Sequence, residues 1–354
     1  HTRFRNVTGV QTCALPICPS FSLPGFTVND WKEVAPRLGA AFDVSGDGRT
    51  VIKGTYGIFY TDLQYSYALG QSPTSVQTFN YRWRDLNGDG NYQPGEVNLS
   101  TSGPDFLSVS GGSSSVINPD LGLTNTREAT ASIERQLGQG FAVRGLFVHK
   151  RVIDAFQSIN ILRPLSVWDQ KFSRRDPGPD DVLGNANDGP VYAIYDYNPA
   201  YRGAAFVKNM NVNADSNRHD YYNSIEMMLT KRNTGRWFAN TSVLATKTHV
   251  WRIKAVSTGN DALFPLGSYW DLSYLLAGGY NFPHGITVSS LLQAYNGLAR
   301  QRVVQFRRAD PLGGPAFPSS SQFQLPVEPL GATRGPNRTL VNLRVAKDFS
   351  LGGS

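Results

Sequence analysis

The residues best suited to chemistry lie between Asp85 and Glu96. Asp85, Asn87, Asp89, Asn91, Gln93 and Glu96 follow the spacing of the calcium loop D-x-[DN]-x-[DN]-G-x₅-E. Hard oxygen donors at alternate positions suit Ca²⁺. Gly90 supplies the sharp turn, Asn91 a carbonyl, Gln93 a direct or water-mediated contact, and Glu96 a bidentate carboxylate. Two features depart from the helix-flanked form. Trp83 and Arg84 precede the loop where an amphipathic helix would end, and Pro94 falls inside it. The expectation is therefore a calcium-stapled loop tip, with a solvated Asn-Gly and Asp-Gly turn as the alternative. Ca²⁺ is the one cofactor the sequence implies. Residues 43–48 look similar, but Gly54 occupies the last ligand position, so they read as a turn.

Catalytic constellations are not evident. His1, His149, His219, His249 and His284 stand singly, without the i, i+4 partner of a metal-binding helix. No G-x-S-x-G elbow occurs. Gly57, Gly278 and Gly279 fall in strand patterns, where they relieve curvature rather than cradle phosphate. Asp180 and Asp181 read as a solvated loop pair. The chain is expected not to be an enzyme. Aromatic residues are frequent between the regular segments: Tyr81, Trp83, Trp168, Tyr195 and Tyr197, with Tyr65, Tyr67, Tyr192 and Tyr201. They suit sugar rings or hydrophobic peptides, or they pack the loops onto one another.

The elements that position these residues are strands. Runs at 36–44, 50–60, 126–137, 141–151, 221–232, 236–247, 270–281, 285–296 and 338–349 alternate in polarity with period two. Thr126, Glu128, Thr130, Ser132, Glu134 and Gln136 share one face, opposite Ala129, Ala131, Ile133 and Leu137. Trp270, Leu272, Tyr274, Leu276, Tyr280 and Phe282 oppose Asp271, Ser273 and Asn281. Tight turns rich in Gly, Asn and Asp join the runs in pairs, and long segments separate the pairs.

These runs exceed the 5–6 residues or so of soluble strands. Aromatics gather near their ends, among them Phe59, Tyr60, Phe141, Tyr221, Trp237, Trp270 and Phe282. Long strands, short turns alternating with long loops, and aromatic girdles fit a transmembrane β-barrel better than a soluble sandwich or propeller. Charged residues at 17% of the 354-residue chain are sparse for a soluble domain, and no apolar run is long enough for a transmembrane helix. A net charge of +7 comes from dispersed Lys and Arg without a basic run, so nucleic acid is not an expected partner.

The first residues stand apart. Val7-Thr8-Gly9-Val10-Gln11-Thr12-Cys13-Ala14-Leu15-Pro16-Ile17 reads as the translation of a common sequencing adapter. Residues 1–18 are therefore expected to be non-native, and Cys13 and Cys18 with them. Without a continuous apolar h-region they do not read as a signal peptide.

Further on, residues carry a family resemblance. Ala35-Pro36-Arg37-Leu38-Gly39, Gly46-Asp47-Gly48-Arg49-Thr50 and Tyr56-Gly57-Ile58-Phe59-Tyr60 resemble the barrel of TonB-dependent outer-membrane receptors, of the Oar-like branch. Asn118-Pro119-Asp120-Leu121, Glu134-Arg135-Gln136-Leu137, Tyr222-Asn223-Ser224-Ile225-Glu226 and Lys347-Asp348-Phe349 continue the series. The resemblance implies an all-β, antiparallel transmembrane barrel of about 22 strands, with an N-terminal plug. Residues 19–354 would be a partial barrel of about nine strands, lacking the plug and terminal strands and, with two open edges, unstable alone. It further implies the outer membrane and its lipid as surroundings, and the TonB complex as a partner through the missing N-terminal region. The implied function is uptake of a bulky nutrient such as an oligosaccharide, peptide or metal chelate. Glu128, Ser132, Glu134, Glu226, Arg232 and Arg344 would face the lumen, hold the plug and line the path. The alternative is a surface receptor or adhesin with calcium-ordered loops and no transport.

Overall fold

The computed structural model describes residues 27–63, 67–68, 77–100, 102–111, 115–213, 220–250, 258–261 and 267–349. The N-terminal segment 1–18 lies outside them, as do Tyr65 and His219. Nine strands form one antiparallel sheet, each paired with its neighbour in sequence. They are β1 (Arg37–Asp43), β2 (Thr50–Tyr60), β3 (Asn125–Gly138), β4 (Phe141–Ile153), β5 (Tyr221–Lys231), β6 (Trp237–Val250), β7 (Gly267–Phe282), β8 (Ile286–Tyr295) and β9 (Arg338–Lys347). Each expected run is a strand of this meander. Several run longer than expected: β7 has 16 residues and β6 has 14. About 9–11 tilted residues cross a membrane, so these strands carry their ladder beyond the apolar zone.

The four short connections share one end of the sheet and the four long ones share the other. Local chemistry fixes the short turns. Gln139 (φ 48°) and Gly140 (φ 82°) are both left-handed, as a two-residue hairpin needs to match strand twist. In the first turn the Asp43 carboxylate accepts the Gly46 and Gly48 amides at 3.1 and 2.7 Å. These bonds confirm residues 43–48 as a turn.

Register assigns the faces. Ile52, Ile133, Met227 and Val243 point outward and are exposed, as are Leu272, Leu276, Tyr280 and Phe282 on β7. The opposite face carries charge and hydroxyls. A sheet that exposes its large apolar residues while turning its polar ones inward matches a barrel wall in lipid. No helix is long and apolar enough to cross a membrane among the described residues.

The buried core lies not in the wall but in its long connections. Phe172, Ile194, Val304, Phe306, Phe317 and Leu325 form one cluster. It joins a hairpin of Gln170–Arg175 with Val191–Asp196 to a second of Val303–Arg307 with Gln322–Pro326. The first belongs to the β4–β5 connection and the second to the β8–β9 connection. The sequence pattern predicts long loops for both. In fact their apolar sides pack on each other and form a roof of folded structure.

Candidate functional site

The roof is held by buried charge as well as by apolar contact. Arg302 grips Asp176 through both guanidinium nitrogens, at 2.7 and 2.5 Å, and Asp176 is fully buried. That contact holds the Asp176 carboxyl below the ordinary carboxylate range, against the opposing effect of burial. Arg174 reaches Asp310 at 3.2 Å and the Pro315 carbonyl at 2.7 Å, with its guanidinium 4.3 Å over the Phe317 ring. Asp196, also fully buried, forms no ion pair among the described residues. It accepts from the Tyr197, Ser319 and Ser320 amides and the Ser320 hydroxyl instead. Four donors replace the water that the carboxylate gives up.

The other long connections are stitched into the same end. Asn260 pairs with both the amide and the carbonyl of Tyr195, each at 2.7 Å, as a strand neighbour would. Asn209–Asn213 pairs with Phe156–Asn160 on one side and with Ser115–Val116 on the other. Asn213 binds the Gly122 amide and carbonyl, both at 2.8 Å. These are long-range contacts between short polar segments. No periodicity in the sequence announces the partner.

The five loop aromatics have defined places. Trp168 meets Tyr197 and Phe323 edge-on, with ring centroids 5.4 and 6.2 Å away. Tyr197 also lies 4.4 Å beneath the Arg163 guanidinium. Tyr195 is the residue clamped by Asn260. Tyr81 packs on Phe106 and donates its hydroxyl to the Leu99 carbonyl at 2.8 Å. Trp83 donates its indole N–H to Glu96 at 2.9 Å, while the residue remains 45% exposed. Packing of loop on loop thus accounts for most of these rings, and Trp83 presents the most open face.

In the Asp85–Glu96 segment, the carboxylates turn toward the segment's own N–H groups. Asp85 accepts from Gly88 and Gly90 at 2.6 and 2.8 Å, and Asp89 accepts the Asn91 amide at 2.7 Å. Asn87 bridges Asp89 and Gln93. Glu96 is buried and accepts from Trp83, Leu86 and Gln93. The Trp83 indole, followed by the Gln93 amide, lowers the Glu96 pKa below its usual value. Gly88 and Gly90 hold left-handed φ of 78° and 73°, which any other residue would adopt under strain. Among the described residues no three His, Cys, Asp or Glu side chains converge as an assembled metal centre.

On the inward face of the wall, register brings complementary charges together. Glu134 takes Lys53 at 2.8 Å and Arg144 at 3.4 Å, and Glu128 takes Lys150 at 2.6 Å. Ser132 lies in register with Lys53 and Leu146 on the same face. Glu226 stands opposite Leu146 and Leu244, and Arg344 opposite Ser289. Arg232 follows the last residue of β5, and its amide donates to the Gly140 carbonyl at 2.8 Å. The Arg232 side chain is exposed at the start of the short turn. The Lys231 ammonium binds the Arg232 and Thr234 carbonyls, each at 2.9 Å.

The histidines are less isolated than their spacing suggests. Strands β4, β5 and β6 bring His149 and His249 to either side of Tyr221, at 6.1 and 4.8 Å between centroids. His149 Nδ1 lies 2.7 Å from the Asn223 side-chain oxygen.

No curated protein matches the chain. Among solved structures it is similar to the outer membrane transporter YddB from Escherichia coli, at 10% identity and a TM-score of 0.43. That match covers 88% of this chain and 34% of the transporter, so the chain spans about a third of that protein's length. The family model described as outer membrane beta barrel domain matches residues 8–242. With nine antiparallel strands that turn apolar side chains outward, the chain belongs to the outer membrane beta barrel domain family, and its place is the outer membrane.

Proposed function

We propose that the chain is part of the wall and extracellular roof of a TonB-dependent receptor of the Oar-like kind, importing a bulky nutrient. An oligosaccharide, a peptide or a metal chelate would suit. The observation that carries this reading is the contrast between the two ends of the sheet. One end has turns of a few residues, while the other carries a roof with its own apolar core and buried ion pairs. A plain pore needs no such core. A receptor gains from it, because loops held in one conformation lose less entropy when a ligand binds. The inward charges at Glu128, Glu134, Lys53 and Lys150 supply a polar surface for a plug and a passing ligand.

In this reading Ca²⁺ binds the 85–96 loop through Asp85, Asn87, Asp89, the Asn91 carbonyl, Gln93 and Glu96. The ion would replace hydrogen bonds that those oxygens now accept. Ligand spacing and the left-handed Gly88 and Gly90 support the assignment.

Growth tests the transport reading. Cells with and without the full receptor, each with and without TonB, are grown on a panel of oligosaccharides, oligopeptides and ferric chelates as sole nutrient source. Growth on at least one compound is expected to need both proteins. Growth independent of TonB on every compound, with surface binding intact, would favour the adhesin alternative.

A further inference from the structure

Outward on the wall, at the loop end, lies a cluster that neither the roof nor the inward face uses. Arg127 on β3 and Arg151 on β4 stand directly opposite each other in register, and both are exposed. Like charges so placed destabilise a sheet unless an anion bridges them. The inward cations on the same strands are partnered: Lys150 takes Glu128, and Arg144 takes Glu134. Arg127 and Arg151 form no ion pair among the described residues. The Tyr60 hydroxyl lies near Arg127 and near the carboxylates of Glu33 and Asp154.

Neighbouring outward positions extend the cluster. Tyr221 is in register with Arg151, and Lys247 lies in the next row with its ammonium 5.8 Å from the Trp270 ring centre. Toward the turn end the same face becomes apolar at once, with Phe147, Ile225 and Leu272. Paired guanidinium groups and aromatic rings therefore sit at the upper edge of the apolar belt. That is the level of the headgroups in the extracellular leaflet.

We propose that this face binds a phosphorylated lipid of the outer leaflet. The Arg127 and Arg151 guanidinium groups hold its phosphate, Lys247 adds a third positive charge, and its acyl chains lie along Phe147, Ile225 and Leu272. Guanidinium forks suit phosphate oxygens, and the bound phosphate removes the repulsion between the two arginines. The site is independent of the cargo and of TonB.

The test uses the full receptor extracted from outer membranes, with lipid occupancy read by native mass spectrometry. Vesicles containing a phosphorylated glycolipid, or its dephosphorylated form, supply the ligand. The wild type is expected to retain the phosphorylated lipid and not the dephosphorylated one. Arg127→Gln/Arg151→Gln is expected to lower occupancy about tenfold or more, and Arg127→Lys/Arg151→Lys to restore much of it. Arg135→Gln is the control: Arg135 is exposed on the same face of β3 but near the turn end. Heat-modifiable migration in gels establishes that each variant is folded. Equal retention by the Gln pair, or equal retention of the dephosphorylated lipid, would overturn the proposal. Displacement by an excess of inorganic phosphate would also overturn the lipid assignment, since acyl contacts would then add nothing.

Discussion

Replacing Phe317 by alanine should unfold the roof and leave the wall intact. Phe317 is completely buried, and its ring meets Phe172 and Phe323 edge-on at 5.2 and 5.0 Å. The Arg174 guanidinium lies against its other side. Truncating a buried Phe typically costs about 3–5 kcal/mol, from lost transfer energy and the cavity left behind. Aromatic pairs and the cation contact place this site toward the upper end of that range. At roughly 1.4 kcal/mol per tenfold change, local opening should become two to three and a half decades more frequent. Hydrogen exchange on the full receptor reads this directly. Amides in Gln170–Arg175, Val191–Asp196, Val303–Arg307 and Gln322–Pro326 should lose protection together, because one core serves both hairpins. Amides of β5 to β8 should be unchanged. Loss of protection across the wall as well would refute the separation of roof from wall. Unchanged protection in the roof would refute the core itself.

Acid should loosen the same roof. The Asp176 pKa is lowered in the folded state, so its contribution is complete above the unfolded value near 3.9 and is lost as pH falls through the folded value. Trp168 fluorescence between about pH 5 and pH 2 should report this loss, and Asp176→Asn should flatten it; an identical profile in that variant would count against the pair. On the wall, Val243→Arg should cost about 2–4 kcal/mol of folding stability in lipid vesicles, whereas Ser242→Arg on the opposite face should cost far less. Equal costs at the two neighbours would undo the assignment of faces. Calorimetry on the full receptor should show Ca²⁺ binding in roughly the 10⁻⁴–10⁻³ M range of extracellular modules, abolished by Glu96→Gln. Absence of any heat change in the wild type would remove the ion from the account.

The wall was legible because its physics is local. Alternation along Thr126 to Gln136 assigns faces without knowledge of the neighbouring strand, and Gly138-Gln139-Gly140 declares its own turn. The roof was not legible, although its strands alternate too. Phe172 and Arg174 oppose Lys171 and Ser173, and Val304 and Phe306 flank Gln305. Such runs of 5–6 residues are short, and the hairpins they form pack on one another across more than a hundred residues, as Arg174 and Asp310 show. A pairing at that distance is decided by packing in three dimensions. The juxtaposition of Arg127 with Arg151 depends on register, which neither strand specifies alone.

The most direct measurement places single cysteines along β7 of the full receptor, in a background with every other cysteine changed to serine. Labels at 272, 273, 274, 275, 276 and 277 are then tested for quenching by nitroxides on lipid acyl chains. If β7 crosses the membrane as described, labels at Leu272, Tyr274 and Leu276 are quenched, and those at Ser273, Leu275 and Ala277 are not. Quenching that fails to alternate, or that is absent at all six positions, would contradict a membrane-spanning wall.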